Sequence, residues 1–302
     1  MKELLITGAW RCGEQQVQAL EQMGYAVTFW PDERQAVNMD TRRFEAVICG
    51  GLFLTTPIER FPALKCIQVT SAGLDRVPLD YCKAHGIIVY NAGGVYSAPM
   101  AEFVLGGILQ LYKESKFFAE NQAAHRWEKH RGLRELGGKI ACIIGTGSVG
   151  SAIARRLRAF DVKTVGINRS GHPAAEFDQT QPTCRLDDLL PLADLVICAM
   201  PLTAETAGLF DSVRIAKIKP GAVFVNVARG KVTDQQALAE ALQSGQLSGA
   251  VLDVFEEEPL PRSSPLWEME QVILTPHNSF VGEHNGERLF RLICKNLESF
   301  AQ

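Results

Sequence analysis

The sequence predicts an α/β protein made of two doubly wound domains, each a parallel sheet with helices on both faces. Short apolar runs of strand length alternate with segments of helical periodicity along most of the 302 residues, as a parallel sheet with crossover helices requires. The alternation occurs in two unequal blocks, and the chain is long enough for two ordinary domains. Because no loose linker separates the blocks, we expect a hinged cleft, where ligands bind preferentially.

The predicted elements assign each part of the chain to one block. Strands of the first block are expected at residues 3–7, 26–30, 46–49, 66–69 and 87–90. Strands of the second block are expected at residues 140–144, 163–167, 195–199, 222–227, 249–253 and 272–275. A long helix over 100–121, opening after Pro99, lies between the blocks, and a terminal helix over 284–300 can return to the first block. The predicted domains are therefore 1–95 plus 283–302, and 96–282.

Composition and charge exclude several classes of protein. Hydrophobic residues make up 46% and charged residues 22% of the chain, which is typical of a globular protein. The net charge of −3 gives no basic footprint for nucleic acid. The apolar run at the N-terminus breaks after a few residues, unlike a secretory signal, and no apolar stretch is long enough to cross a bilayer. We expect a cytoplasmic protein that binds neither nucleic acid nor membrane.

The cysteines indicate neither a disulfide framework nor a metal site. The chain has eight, without a C-x-x-C pair, and four of them stand inside predicted apolar strands: Cys49, Cys66, Cys142 and Cys198. We interpret these four as buried free thiols in a reducing compartment.

A glycine-rich loop predicts a dinucleotide site. The strand at 140–144 runs into a G-x-G-x-x-G segment, and a helical pattern with Val149, Ile153, Leu157 and Phe160 on one face follows. The first glycine permits a tight turn, the second lets the backbone approach a pyrophosphate, and the third lets helix and strand pack closely. The phosphates would lie at the helix N-terminus. The loop residues expected to bind the cofactor are Gly145, Thr146, Gly147, Ser148, Val149 and Gly150.

Three polar residues follow strands of the second block. Arg229 comes after the strand at 222–227, Glu258 after the next strand, and His277 after the last. Because the carboxyl ends of parallel strands meet at one edge of an open sheet, we expect these side chains to face the bound dinucleotide. Singly, each would more often be a surface or capping residue, but their joint occurrence favours a site. The remaining histidines are interpreted as surface or capping residues: His85, His125, His130, His172 and His284.

These residue types suit the reduction of a 2-keto acid by hydride transfer. Negative charge builds on the carbonyl oxygen, which then needs a proton, and a histidine supplies one near neutral pH. A glutamate bonded to that histidine holds its orientation, and an arginine can hold the substrate carboxylate. We therefore predict Arg229, Glu258 and His277 as catalytic residues, with Arg229 and His277 also binding substrate.

Several segments resemble the signatures of the D-2-hydroxyacid dehydrogenase family, in the family's order and approximate spacing over nearly the whole chain. They are the glycine loop and residues 71–75, 200–203, 227–230, 252–259 and 275–277. The resemblance implies a flavodoxin-like substrate domain, a Rossmann dinucleotide-binding domain, a D-2-hydroxy acid product and a homodimer built largely from the cofactor domain and its long helix.

The resemblance also implies roles for single residues. Arg229, Glu258 and His277 would form the catalytic triad, and Asp253 would contact the nicotinamide end. Backbone N–H groups around Ala72 and Gly73, with Leu74 beside them, would hold the substrate carboxylate. The residues implied to line the cofactor are Met200, Pro201, Thr206, Val227 and Ala228.

Two positions near the expected substrate pocket have open interpretations. Tyr96 begins a Tyr-Ser-Ala-Pro run that resembles the Tyr-Ser-Pro of the lactate-reducing branch, with one residue inserted. It either closes over the substrate or packs at the hinge. Leu52 and Phe53 follow the third predicted strand and either line an apolar substrate pocket or belong to the core.

The end of the strand at 163–167 bears on the choice of cofactor. An NAD-selecting site usually has an acidic residue there, which bonds the ribose hydroxyls and repels a 2′-phosphate. This chain has Asn168, followed by Arg169 and Ser170 with donors suited to a phosphate. We predict a preference for NADP over NAD. The alternative is that Arg169 is merely solvated and both cofactors are accepted.

Two other functions are compatible with the same sequence. A dinucleotide-sensing binding protein, such as a transcriptional corepressor, can retain the triad. Such proteins usually carry extra tails for partners, however, and this chain has almost no length beyond the two domains. A formate- or phosphite-type dehydrogenase of the same superfamily would oxidise compounds without a 2-hydroxy acid group. Turnover of a keto acid distinguishes both from the predicted activity.

Overall fold

The computed structural model describes residues 1–301, which divide into two compact units. The first unit comprises Met1–Tyr96 and the segment from Gly282 onward, and the second comprises Ser97–Val281. Each boundary lies one residue from the one predicted. That the first unit binds substrate and the second binds cofactor stays a prediction.

The first unit contains a five-stranded parallel sheet. Its strands are β1 (Lys2–Thr7), β2 (Tyr25–Trp30), β3 (Ala46–Cys49), β4 (Cys66–Val69) and β5 (Ile88–Tyr90). They lie in the order β2-β1-β3-β4-β5, with Leu5 of β1 opposite Thr28 on one side and Val47 on the other. This is the flavodoxin-like order, and its topological switch point is between β1 and β3. The predicted fold is confirmed for this unit.

The second unit contains a seven-stranded parallel sheet. Its strands are β6 (Ile140–Ile144), β7 (Lys163–Asn168), β8 (Gln179–Pro182), β9 (Leu195–Cys198), β10 (Val223–Asn226), β11 (Gly249–Leu252) and β12 (Val272–Leu274). The order is β12-β11-β10-β9-β6-β7-β8, so the switch point lies between β6 and β9, as in a Rossmann fold. Edge strand β8 was not predicted, because its Gln-Thr-Gln-Pro sequence carries no apolar run.

The helices alternate with the strands. They are α1 (Glu14–Gln22), α2 (Leu79–Ala84), α3 (Ser97–Tyr112), α4 (Ser115–Ala123), α5 (Ser148–Arg158), α6 (Leu186–Leu189), α7 (Ser212–Ala216), α8 (Gln235–Gln243) and α9 (Asn285–Ala301). Helix α5 ends before Phe160, which is 41% exposed, so that residue does not belong to the predicted apolar face.

The single long helix predicted over 100–121 is wrong, since two helices, α3 and α4, occupy this region. Glu114 has a φ of 51°, a left-handed conformation that a right-handed helix cannot include. Helix α3 begins at Ser97, two residues before Pro99 rather than after it. Proline is tolerated there because the N–H groups of a first helical turn have no partner within the helix.

The terminal helix α9 packs on the sheet of its own unit, as predicted. Ile293 and Leu297 are fully buried in one cluster with Leu4 of β1. The Tyr25 hydroxyl donates to the Leu297 carbonyl at 2.9 Å. The apolar face of α9 therefore covers one face of the sheet, packing over β1, β3 and β4.

The four cysteines predicted to be buried, Cys49, Cys66, Cys142 and Cys198, are buried. Burial raises the pKa of the Cys66 thiol to about 12, so it stays protonated near neutral pH. Within residues 1–301, no helix combines the length and the apolar character needed to span a membrane. The same residues contain no cluster of three or more metal-ligating side chains.

Candidate active site

Two glycines of the loop after β6 are required by the fold itself. Gly145 has a φ of 111°, and a Cβ there would lie 2.6 Å from the Ala199 carbonyl oxygen. A Cβ on Gly150 would lie 1.9 Å from the Gly145 carbonyl oxygen. The first glycine thus makes the tight turn and the third permits close packing of helix α5, so a side chain at either position would force the loop apart.

The middle glycine, Gly147, is not required by the fold. Its φ of −72° is open to any residue, and a Cβ there would meet nothing within 4 Å. Gly147 is the N-cap residue of α5 and, as a glycine, has no side chain to bond the first N–H groups of the helix. Open space in front of uncapped N–H groups at the positive end of a helix dipole suits a phosphate. The residues present therefore fit a dinucleotide whose pyrophosphate approaches Gly147.

The strand end at Asn168 lies beside this loop. The Asn168 amide donates to Thr146 Oγ1 at 3.1 Å, so it is tied to the glycine loop. Arg169 is 85% exposed, and its guanidinium lies 4.0 Å from the Glu205 carboxylate. The Ser170 hydroxyl lies 3.2 Å from His172 Nδ1. The predicted cofactor-selecting residues thus lie on one exposed turn.

The three candidate catalytic residues follow adjacent strands. Arg229 follows β10, Glu258 follows β11, and His277 follows β12, at the carboxyl ends of neighbours in the sheet. His277 Nδ1 lies 2.8 Å from Glu258 Oε2, while Glu258 Oε1 accepts a bond from the Phe255 N–H at 3.1 Å. The carboxylate is therefore fixed at both oxygens. Because Nδ1 faces Glu258, Nε2 is the ring nitrogen left for proton transfer.

The His277 loop is held by Asp253, whose side chain is almost completely buried at 1% exposure. Its carboxylate accepts bonds from Thr275 Oγ1 at 2.6 Å, from the Asn278 N–H at 2.7 Å and from the Ser279 N–H at 3.0 Å. The His277 N–H donates to the Asp253 carbonyl at 2.8 Å. These bonds clamp both sides of His277, whose φ of 52° is uncommon for a residue other than glycine.

Sequence analysis missed this anchoring role of Asp253. The signal was present, because an aspartate between Leu252 and Val254 is a buried carboxylate that needs several partners. Contact of Asp253 with the nicotinamide stays a prediction.

The loop that carries Arg229, after β10, packs directly against the loop that carries Glu258, after β11. A Cβ on Gly230 would lie 1.8 Å from the Phe255 carbonyl carbon, so the two backbones touch where only glycine fits. Buried Asn226 closes the turn, since its amide donates to the Arg229 carbonyl at 3.1 Å and accepts from the Ala228 N–H at 3.0 Å. The Arg229 guanidinium itself donates to the Ala228 carbonyl at 2.8 Å. Sequence analysis also missed Asn226, which orients Arg229.

The residues implied to line the cofactor differ in what they expose. Met200 is 6% exposed, and Val227 and Ala228 are also buried in the core of the second unit. That these three residues line the cofactor stays a prediction. Pro201 is exposed, and the Thr206 hydroxyl donates to its carbonyl at 2.7 Å while accepting from the Thr203 N–H at 2.7 Å. Thr206 thus closes the loop rather than projecting from it.

The predicted substrate residues of the first unit lie on loops after β3 and β4. Leu52 is fully buried in a core cluster with Leu5 and Ile67, which fits the core alternative for its side chain, and its place beside the substrate stays a prediction. Phe53 meets Phe61 edge to face with ring centroids 6.0 Å apart, which also fits a core role.

The loop after β4 is fixed by its neighbours. The Asn91 amide donates to the Ala72 carbonyl at 2.8 Å, and the Ser71 hydroxyl donates to the Gly73 carbonyl at 2.9 Å. Leu74 is half-buried on the same loop. The Tyr96 hydroxyl donates to the carbonyl of Thr70, just before this loop. Tyr96 thus has a packing contact, and its closure over substrate stays a prediction.

Comparison with known proteins identifies the family. The sequence profile described as D-isomer specific 2-hydroxyacid dehydrogenase, NAD binding domain, matches residues 105–279. A glyoxylate reductase of Thermofilum pendens is 34% identical over 280 residues, covering 89% of this chain and 81% of the relative. A D-3-phosphoglycerate dehydrogenase of Mycobacterium leprae is 37% identical over 219 residues, which are 72% of this chain but only 41% of that longer protein.

A solved structure extends the match to nearly the whole chain. A D-isomer specific 2-hydroxyacid dehydrogenase from Xanthobacter autotrophicus Py2, crystallised with NADPH and MES, superposes with a TM-score of 0.81 at 29% identity, covering 98% of this chain and 93% of that one. The chain therefore belongs to the D-isomer-specific 2-hydroxyacid dehydrogenase family and is an NAD(P)-dependent oxidoreductase.

Proposed function

We propose that the protein reduces a short 2-keto acid, of the glyoxylate or hydroxypyruvate type, to the D-2-hydroxy acid, with NADPH preferred and NADH accepted less well. The observation that carries the proposal is the His277–Glu258 pair at 2.8 Å beside Arg229, on three adjacent strand ends of the sheet that carries the glycine loop. The Thermofilum relative named glyoxylate reductase supports the substrate class, and the Xanthobacter structure with NADPH supports the cofactor.

The cofactor would be held by residues 145–150 and would supply the hydride to the carbonyl carbon. His277 donates the proton to the carbonyl oxygen from Nε2, so that one hydride and one proton complete the reduction. Glu258 accepts the hydrogen bond from Nδ1, which fixes the orientation of the ring and leaves Nε2 for the transfer. The Arg229 fork holds the substrate carboxylate.

A panel of keto acids tests the proposal directly. Glyoxylate, hydroxypyruvate, pyruvate and a branched keto acid are assayed with NADPH and with NADH, and the product is resolved by chiral chromatography. We expect turnover with a short keto acid, a D product and a higher kcat/KM for NADPH. An L product, or tight NADPH binding without turnover of any keto acid, would contradict the assignment, the second result pointing to a sensing protein.

The pH dependence of the two directions tests His277 as the proton shuttle. Reduction needs the ring protonated at the start, whereas oxidation of the hydroxy acid needs it neutral. We expect reduction to slow as pH rises and oxidation to accelerate over the same range. Parallel trends in both directions would contradict the role of His277.

The family resemblance also leads us to propose a homodimer. The predicted interface is formed by the second unit with helix α3. Light scattering is expected to give twice the 33.2 kDa mass of one chain. A mass near that of a single chain would contradict the proposal.

A further inference from the structure

The Asn168 side chain uses all its hydrogen-bonding groups within the protein. Its amide nitrogen donates to Thr146 Oγ1 at 3.1 Å and to the His172 carbonyl at 2.9 Å. Its amide oxygen accepts from the Gly171 N–H at 2.7 Å and from the His172 N–H at 3.1 Å. With two donor and two acceptor contacts already made, this side chain has no hydrogen-bonding group left for a ribose. Its geometry closes the turn over residues 168–172.

The same turn is fixed from two further sides. Gly171 has a φ of 74°, and a Cβ there would lie 2.8 Å from Cδ of Pro182 in β8. Thr183 Oγ1 donates to the Asn168 carbonyl at 3.3 Å. On the other side, Thr146 of the glycine loop packs closely against Gly166 of β7. A Cβ on Gly166 would lie 2.7 Å from the methyl group of Thr146. The turn is therefore held on two sides, by the segment of β8 and Thr183 and by the glycine loop.

This fixed turn projects groups suited to a phosphate monoester. Arg169 carries a permanently charged fork and is 85% exposed, and the Ser170 hydroxyl stands beside His172 Nδ1. A pyrophosphate approaching Gly147 places the adenosine end of a dinucleotide toward the end of β7. A phosphate on the 2′-oxygen would then lie within reach of Arg169 and Ser170.

We propose that Asn168 is a positioning residue that holds the 2′-phosphate-binding turn against the glycine loop, and that it does not replace an acidic residue as a ligand of the ribose. The proposal rests on the NADP preference proposed above. It makes a specific prediction for Asn168→Asp. A carboxylate could still accept from the Gly171 and His172 N–H groups and from the Thr146 hydroxyl, but it has no N–H to donate to the His172 carbonyl and would repel that oxygen. The variant would loosen the turn without gaining a ribose contact.

Calorimetry with two mononucleotides isolates the adenosine half of the site. Adenosine 2′,5′-bisphosphate carries the 2′-phosphate, whereas ADP lacks it. We expect the wild type to bind the bisphosphate tighter, and Arg169→Ala to lose about 10–100-fold of that preference with ADP binding unchanged. Arg185→Ala is the matched control, because Arg185 is an exposed arginine of the same unit paired with Asp188 at 2.7 Å. It should leave both affinities unchanged.

Asn168→Asp and Asn168→Ala should lose most of the bisphosphate preference although Arg169 is intact, and neither should bind ADP better than the wild type. In kinetics, the KM for NADPH should rise while kcat at saturation stays near its original value. Thr146→Val should weaken bisphosphate binding in the same direction, and Thr146→Ser, which keeps the hydroxyl, should restore it. The two Thr146 variants supply the test if the Asn168 variants unfold at too low a temperature for titration.

Two outcomes would overturn the positioning role. One is a several-fold gain in ADP affinity or in kcat/KM for NADH in Asn168→Asp, the result expected if the position ligates the ribose. The other is an unchanged bisphosphate preference in both Asn168→Ala and Thr146→Val. A wild type that binds both mononucleotides equally would instead contradict the NADP preference, while the ADP affinity of Asn168→Asp would still decide whether the position ligates the ribose.

Discussion

The two units share one architecture and use the switch points of their sheets in opposite ways. In the first unit, the Gly50 and Gly51 N–H groups after β3 and the Thr7 hydroxyl at the end of β1 all donate to the Glu33 carboxylate. In the second unit, Gly147 faces open space at an uncapped helix N-terminus. The first unit thus places its own carboxylate, that of Glu33, where such folds bind ligands. The second unit leaves the corresponding position open for an anionic group of a ligand.

The largest expected effect concerns the catalysis proposed for the second unit. His277→Ala should lower kcat by about 10²–10⁴-fold, because general acid catalysis contributes that much. The matched control is His85→Ala in the first unit, since His85 is an exposed histidine stacked on Tyr81. It should leave kcat unchanged, and the two variants are compared in a steady-state assay on the best keto acid. Wild-type kcat in His277→Ala would contradict its role as proton donor.

Equivalent glycines at the two helix N-termini sharpen the comparison. Gly147 caps α5 and Gly13 caps α1, both with ordinary φ values and nothing within 4 Å of a Cβ. Gly147→Val should raise the KM for NADPH by about 10–100-fold, since its side chain would fill the space proposed for the pyrophosphate. Gly13→Val should leave the KM unchanged. Equal KM values in the two variants would mean that the cofactor does not approach Gly147.

The internal carboxylate of the first unit predicts a loss of stability. Glu33→Ala leaves the Gly50 and Gly51 N–H groups and the Thr7 hydroxyl without their partner, and should lower the free energy of unfolding by about 1–3 kcal/mol. Urea unfolding measures this, with Glu59→Ala, an exposed glutamate of the same unit, as control. Formate should restore part of the loss in Glu33→Ala. An unchanged midpoint would show that the Glu33 contacts contribute little.

The smallest expected effect is at the turn over residues 168–172, which we propose to select the cofactor. Glu205 lies 4.0 Å from Arg169, and a hydrogen bond from Thr203 and the charge of Arg169 lower its pKa, so the carboxylate stays charged near neutral pH. Such a charge opposes a 2′-phosphate at Arg169. Glu205→Gln should raise the preference for NADPH over NADH by about 2–5-fold, as expected for exposed charges. A fall in that preference would show that Glu205 does not oppose the phosphate.

Much of the fold was predictable because the buried strands are continuous apolar runs. Strand β3, Ala-Val-Ile-Cys, is covered on both faces, and a strand of this kind can be predicted from its own residues alone. Strand β8 escaped because an edge strand of polar residues has no such pattern. The break between α3 and α4 escaped prediction because Lys113 and Glu114 both favour a helix, while the left-handed conformation that Glu114 adopts is uncommon for a residue other than glycine.

The sequence predicts which segments form the candidate site better than it predicts what each residue in them does. The order of Arg229, Glu258 and His277 along parallel strands places them at one edge, which requires only the topology. The tasks of Asp253, Asn226 and Asn168 depend on hydrogen bonds between separate loops, which spacing does not reveal. Leu52 shows the opposite case, because an apolar residue after a strand fits core and pocket equally until its burial is known.

The contact of Gly230 with the Phe255 backbone has a consequence for protein engineering. Together with the clamp of Asp253 around His277 and the bond from Phe255 to Glu258, it joins three loops into one cross-braced block. A substitution that moves one loop is therefore expected to disturb the other two, so the three loops should be transplanted together. Design of new substrate ranges should therefore keep residues 226–230, 253–258 and 275–279 intact and vary the surrounding loops.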